Sequence, residues 1–235
     1  MALLSYLATT GQPHTRDATL SLLWPEYDSE KGRAALRTTL SILRKSLGDN
    51  VLSTTRQQIK LVRSSEIWID VREFLADTQD ALMPEQSQEK MIQSLEQSAA
   101  LYNGDFLTGF SLRDSVEFDD WQLLKAETLR RQYSQNLGML IQCHTIQGTF
   151  PSAITHAHRL LALDPLDEAS RRSLMKLYVW TGQRSLALRQ FEECQQILQK
   201  ELGISPSEKT KKLHENIKAE ILERAPTAPL EQRPV

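Results

Sequence analysis

No stretch of uncharged apolar residues in this 235-residue chain runs beyond a few positions, far short of the roughly 18 that a membrane-crossing helix needs. Cysteine is almost absent. Cys143 and Cys194 are too few for a disulfide framework, neither sits in a paired Cys-x-x-Cys zinc spacing, and both read as buried thiols. The first ten residues carry no positive charge ahead of their apolar stretch and no small-residue cleavage site, so they do not read as a signal peptide. Also lacking are a Gly-x-x-x-x-Gly-Lys-Ser/Thr phosphate loop and a Gly-x-Gly-x-x-Gly dinucleotide fingerprint, which disfavours nucleotide enzymes. These absences predict a cytoplasmic protein that is neither membrane-bound nor an enzyme and uses no cofactor. With 40% hydrophobic and 25% charged residues, the chain is compositionally globular and long enough for two modest domains.

The charge that is present is unevenly spread. The net charge is −2. Residues 1–63 hold nine lysines and arginines against five acids, a local charge of +4, so the remainder carries −6. Such asymmetry predicts an N-terminal part that meets a polyanion and a C-terminal part with another task.

Leu3, Leu4, Leu7 and Ala8 stand at helical spacing before Gly11 and Pro13, which predicts a first short helix. Thr15 can cap a second, with Leu20, Leu22, Leu23 and Trp24 as its apolar surface and Pro25 as its end. A third, longer helix follows the polar turn 26–29, reaches about Leu47 and is closed by Gly48. In it, Leu36, Leu40, Leu43 and Leu47 step by four, three and four, a narrow apolar stripe that predicts a core-facing side. Lys31, Ala34, Thr38, Ser41 and Lys45 project opposite that stripe, with Arg33, Arg37 and Arg44 along one flank. Arginines beside leucines also occur on ordinary solvated helices, but a helix shaped for solubility mixes both signs. Here no acid lies between Lys31 and Leu47, and the residues at the face centre are short, as close approach to a nucleic-acid groove requires.

Two β-favouring runs, 51–55 and 59–62, predict a hairpin. Helix, helix, basic helix and hairpin is the order of a winged helix-turn-helix, with Arg56 at a wing tip that has no glycine and with Arg56, Lys60 and Arg63 available to phosphates. Ile67-Trp68-Ile69 reads as strand-like, and 71–82 and 89–102 as amphipathic helices. The peptide 102–110, with two glycines and three aromatics, reads as a turn packed under helices. From about residue 116 the chain reads as helical and repeats: Gly148 and Gly182, Ala153 and Ala187, and Leu140 and Leu174 are each 34 residues apart, the tetratricopeptide period. Pro165 ends the first repeat, whereas the second has Gln199 at that offset.

Other chemistry finds less support. Cys143, His144, His156 and His158 form the one local group of metal-ligating types. Residues two apart point to different sides of a helix, so no metal site is predicted from His156 and His158. Asp114, Glu117, Asp119 and Asp120 at a helix start fit the positive end of a helix dipole better than a catalytic carboxylate pair. Trp24, Trp68, Trp121 and Trp180 read as packing anchors.

The segment from Ala35 to Lys45, Ala-Leu-Arg-Thr-Thr-Leu-Ser-Ile-Leu-Arg-Lys, resembles the third helix of the OmpR-type winged helix of SARP-type bacterial transcriptional activators. Leu22-Leu23-Trp24-Pro25 and Trp68-Ile69-Asp70-Val71-Arg72-Glu73-Phe74 are similar to the same group. Tyr102-Asn103-Gly104-Asp105-Phe106-Leu107, Leu160-Leu161-Ala162-Leu163-Asp164-Pro165 and Glu201-Leu202-Gly203-Ile204-Ser205-Pro206-Ser207 resemble the bacterial transcriptional activator domain, in the family's order.

The resemblance implies a mostly α protein. A winged helix-turn-helix would occupy 1–75, a tetratricopeptide-like domain 76–224 and a disordered tail or linker 225–235. It implies a transcriptional regulator, an activator by family, that binds double-stranded DNA through the third helix. Lys31, Arg33, Arg37, Thr38, Ser41, Arg44, Lys45, Arg56 and Lys60 are the candidate DNA contacts. Thr38 and Ser41 would touch base edges and the cations would clamp phosphates, with Arg37 or Arg44 able to grip a guanine. RNA polymerase, another regulatory protein or a second copy of the chain would meet the helical domain. One departure is that the chain opens on Ala2-Leu3-Leu4 without the family's small N-terminal sheet: either the start is truncated or wrongly assigned, or the domain has shed that layer, which predicts uncovered apolar surface on the first helix. The rival class of function is a protein-interaction scaffold whose winged helix no longer binds DNA.

Overall fold

The structure is a computed structural model that describes residues 1–62, 67–84, 86–221 and 225–226. Arg63 and the tail from residue 227 onward, both subjects of sequence expectations, lie outside the described residues. The chain forms two compact units: Met1–Ala76 with Leu101–Arg130, and Asp77–Ala100 with Arg131–Val235. The first unit is thus assembled from two separate segments of the chain. Among the described residues no helix is long and apolar enough to cross a membrane.

In the first unit, α1 (Ala2–Thr10) stops at Gly11, whose φ of 64° is the left-handed geometry that ends a helix without steric penalty. The Thr15 side chain accepts the Ala18 amide and starts α2 (Arg16–Leu23). The Asp28 carboxylate accepts the Glu30 and Lys31 amides and starts α3 (Ser29–Leu47). A single 3-10 turn, Asp49–Val51, leads into β2 (Leu52–Thr54) and β3 (Gln58–Leu61), the expected hairpin.

The sheet has a third strand that the periodicity did not reveal. β1 (His14–Thr15) pairs antiparallel with β3, giving the order β1-β3-β2. Two residues cannot display an alternating pattern. The Tyr6 hydroxyl at 3.0 Å and the Thr10 hydroxyl at 2.7 Å from the two ring nitrogens of His14 hold the strand instead.

The core of this unit joins Leu3 and Leu7 of α1, Leu36, Leu40 and Leu43 of α3, Leu52, Ile59 and Leu61 of the sheet, and Phe118. The uncovered first helix expected from the missing sheet is therefore not found. Leu3 and Leu7 are buried, and Phe110, Phe118 and Trp121 pack into the same cluster, with Tyr6 edge-on to Trp121 at 5.1 Å. Leu47 departs from the predicted stripe: it is 43% exposed, at the last position of α3. Ile67-Trp68-Ile69 is not a strand. Ile69 joins the core, whereas Trp68, expected as an anchor, is 66% exposed. Trp24, Trp121 and Trp180 do pack against the cores.

The second unit is helical. α4 (Asp70–Ala81) and α6 (Val116–Ile146) each contribute residues to both units, and α5 (Gln88–Leu101) precedes the aromatic turn. Then follow α7 (Phe150–Leu163), α8 (Glu168–Trp180), α9 (Arg184–Leu202) and α10 (Glu208–Lys218). The 34-residue repeat is physical. Gly148 and Gly182 both have φ 74°, and each is followed by the same helix-closing bond, Thr149 N–H to His144 O at 2.9 Å and Gln183 N–H to Tyr178 O at 2.7 Å. Ala153, Ala187, Leu140 and Leu174 are fully buried. Small alanines let α7 and α9 approach α8, which packs against both.

Asn136 on α6 is fully buried and donates from its amide to Thr78 Oγ1 (2.7 Å) on α4 and Ser98 Oγ (2.9 Å) on α5, while the two hydroxyls bond each other at 2.9 Å. Removing the amide takes one buried donor away from each of the two hydroxyls. Asn136→Ala is expected to lower unfolding free energy by about 2–4 kcal/mol, read as a lowered urea midpoint in circular dichroism.

Candidate nucleic-acid interface

Burial of Leu36, Leu40 and Leu43 fixes the rotation of α3 about its axis and turns Lys31, Arg33, Ala34, Arg37, Thr38, Ser41 and Lys45 to solvent. Among the described residues the one ion pair on this helix is Lys31 Nζ to Asp28 at 3.5 Å. Both side chains are largely exposed, so the pair holds Lys31 weakly. The Thr38 hydroxyl donates to Ala34 O at 3.1 Å, which spends its proton on the helix and leaves its oxygen as an acceptor facing out. Ile42, 59% exposed, lies one turn beyond Thr38 on the same face. Sequence reasoning passed it over, although its distance from the leucine stripe on the helical wheel was there to be read.

Arg44 behaves differently from its neighbours. It is half-buried, and its guanidinium bonds the Thr54 hydroxyl of β2. It therefore links helix to wing rather than standing free on the outer face.

The wing turn is built without glycine. Thr55 N–H donates to Gln58 O at 2.8 Å, leaving Arg56 and Gln57 as a two-residue loop in which neither has positive φ. That excludes the primed turns usual at this loop length. The Thr55 hydroxyl compensates by accepting the Gln57 and Gln58 amides at 3.2 and 2.9 Å. Arg56 is exposed at the tip, and Lys60 is half-buried on the sheet face opposite Ile59.

Arg16, which was not among the candidate contacts, anchors the wing: its N–H donates to Gln57 O at 2.9 Å and its Nε to Thr55 O at 3.1 Å. As a result Arg16, Arg33, Arg37 and Arg56 line one groove with Gln57 and Gln58. Asp17 also lines it and is the one acid there. Four guanidinium groups around a concave surface favour an anionic occupant, and guanidinium geometry matches phosphate oxygens.

The candidate metal ligands divide. The buried Cys143 thiol lies 3.7 Å from Met91 Sδ, His158 Nε2 bonds the Tyr178 hydroxyl at 2.9 Å, and burial raises both cysteine pKa values. His144 and His156 instead converge on Glu96 Oε1, at 3.4 and 2.9 Å from their Nε2 atoms. His156 and His158 diverge to different partners, as residues two apart on a helix do, while His144 and His156 come together. The third member, Glu96, lies about fifty residues upstream (144 − 96 = 48), and no local spacing marks it. Burial holds His156 below its ordinary imidazole range, opposed by the nearby carboxylate. Among the presumed dipole-facing acids, Asp119 in the first turn of α6 accepts the Leu112 amide at 3.2 Å.

A winged helix with an exposed cationic face joined in one chain to a repeat-built helical unit defines the class by fold. The bacterial transcriptional activator domain matches residues 69–218, and the chain belongs to that family; the SARP-type resemblance holds. The chain is 23% identical over 222 residues to the regulatory protein AfsR of Streptomyces griseus and 25% identical to that of Streptomyces coelicolor. Each alignment covers 92% of this chain but only 22% and 21% of those proteins, so the chain spans about a fifth of their length. Mycobacterium tuberculosis EmbR, solved in complex with a low-affinity phosphopeptide, superposes with a TM-score of 0.68 at 22% identity over 96% of this chain and 60% of EmbR. That likeness is one of fold.

Because one hydroxyl closes the wing turn, Thr55→Val is expected to destabilise the hairpin by about 1 kcal/mol. Hydrogen exchange should quicken at the Gln57 and Gln58 amides and stay unchanged in the second unit.

Proposed function

We propose that the chain is a DNA-binding transcriptional regulator, an activator, with α3 lying in the major groove and the wing on the flanking backbone. The observation that carries this reading is the outer face of α3. It is cationic, free of acids from Lys31 to Leu47, and continuous with the arginine groove. Arg16, Arg33, Arg37, Lys45, Arg56 and Lys60 clamp phosphates, which supplies affinity. Thr38 and Ser41 meet base edges, and Ile42 offers an apolar contact of the kind a thymine methyl accepts. Lys31 adds a cation at the helix start, and Arg44 holds the wing at its angle to the helix.

The helical unit takes the protein partner, RNA polymerase or another regulator, or a second copy of the chain. Although this half of the sequence is acidic, Arg172, Lys176, Lys209 and Lys212 surround Trp180 and Leu213 in one groove between α8 and α10. Apolar floor and cationic rim suit an acidic amphipathic segment.

About six phosphate contacts give a slope of log K against log[salt] near −5. Electrophoretic shifts on random and selected duplexes should reproduce that slope. Arg33→Ala/Arg37→Ala should weaken binding to both duplexes by at least tenfold, with circular dichroism unchanged. Weak, salt-insensitive binding that is equal in wild type and variant would overturn this reading and favour the scaffold.

A further inference from the structure

We infer that Glu96, His144 and His156 form a binding site for one divalent first-row transition-metal ion, with zinc the best chemical match, joining α5, α6 and α7. The three candidate ligand atoms lie within 4.8 Å of one another. Two ligands on a tetrahedral zinc ion, each bonded at about 2.0–2.1 Å, stand roughly 3.3 Å apart. The separation of 3.4 Å between His144 Nε2 and Glu96 Oε1 meets that value, and the 2.9 Å from His156 Nε2 needs to open by less than half an ångström. The Glu96 side chain is 42% exposed and has room to make that adjustment, and the two imidazoles are buried with their ligand atoms within 4.8 Å of each other, so they close on the ion by small side-chain rotations.

Hydrogen bonding around His144 points the same way. The Thr149 hydroxyl lies 3.2 Å from His144 O, to which it can only donate, and 2.8 Å from His144 Nδ1. One hydroxyl has one proton. Both contacts are satisfied together only when Nδ1 carries its own proton and donates to Thr149. In the neutral ring the other nitrogen, Nε2, then presents a lone pair to a carboxylate oxygen, and two electron-rich atoms face each other across 3.4 Å. A cation between them resolves that opposition. A hydrogen-bonded Nδ1–H behind a ligating Nε2 is also the arrangement that orients metal-bound histidines. The two rings stack with planes 13° apart and centroids 5.5 Å apart, which sets both Nε2 atoms beside the same oxygen. For His156, no partner among the described residues engages Nδ1, so nothing there fixes the opposite tautomer.

Two imidazoles and one carboxylate select against magnesium and calcium, which require oxygen ligands, and suit zinc and its neighbours. Three protein ligands leave a position for water, reached from the side on which Glu96 is exposed. Because the ligands come from three helices, binding adds to the stability of the helical unit.

The test uses tag-free, full-length chain stripped with chelator and titrated with zinc chloride by calorimetry at neutral pH. One ion per chain is expected, with a raised melting temperature, and cobalt(II) substitution should give the intense visible bands of a tetrahedral site. Glu96→Gln, isosteric and half-exposed, should keep the fold by circular dichroism while weakening zinc binding at least tenfold and abolishing the thermal shift. His156→Gln serves as a second variant with the same expectation. Absence of stoichiometric zinc binding by the wild type would overturn the assignment, as would wild-type affinity in Glu96→Gln.

Discussion

The first unit depends on the burial of one side of α3. Leu36, Leu40 and Leu43 enter a core that already holds Leu3, Leu7, Ile59 and Phe118, and each leucine contributes about 1.5–3 kcal/mol by leaving water. Rotating the helix by a single residue would lift those side chains out and drive Arg37 or Arg44 inward. An unpaired guanidinium in an apolar core costs several kcal/mol more. Packing therefore fixes which residues face outward as firmly as it fixes those facing in. The exposed cationic face follows from the leucine spacing and needs no separate contact to hold it.

Affinity for a polyanion needs more than one helix face, and here the remaining geometry rests on polar contacts. Arg16 reaches back to Thr55 O, Arg44 bonds the Thr54 hydroxyl, and Thr55 closes the turn with its own side chain. Arg44, which could have served an external anion, is thus committed to the wing, while Arg16, Arg33, Arg37 and Arg56 line the groove. A wing without glycine turns tightly only because a threonine oxygen accepts the amides that a primed turn would orient differently.

How much of this was legible in the sequence differs by element, for physical reasons. Long amphipathic helices declare themselves through repeated spacing, so the leucine stripe of α3 and the paired glycines at 148 and 182 could be read directly. β1 could not, since two residues carry no period and His14 is held by a tyrosine and a threonine from the preceding helix. Leu47 and Trp68 misled because apolar character states a preference for burial and not the presence of a neighbour to provide it. Arg16 was missed because its role lies in a contact about forty residues away along the chain, and Glu96 because nothing local distinguishes it from other exposed acids.

The family segment and the compact units divide the chain at different places, and the core shows why. Residues 69–218 match the activator domain, yet Leu101–Arg130 within that span belongs to the first unit. Phe118 is fully buried among the leucines of α1 and α3, and Ser115 donates to Leu22 O at 2.6 Å while accepting the Phe118 amide. This stretch packs over α1. The residues conferring family membership and those completing the winged helix are partly the same residues. Within the first unit the aromatic segment from Phe106 to Trp121, part of the matched activator-domain span, packs with the proposed DNA-binding element.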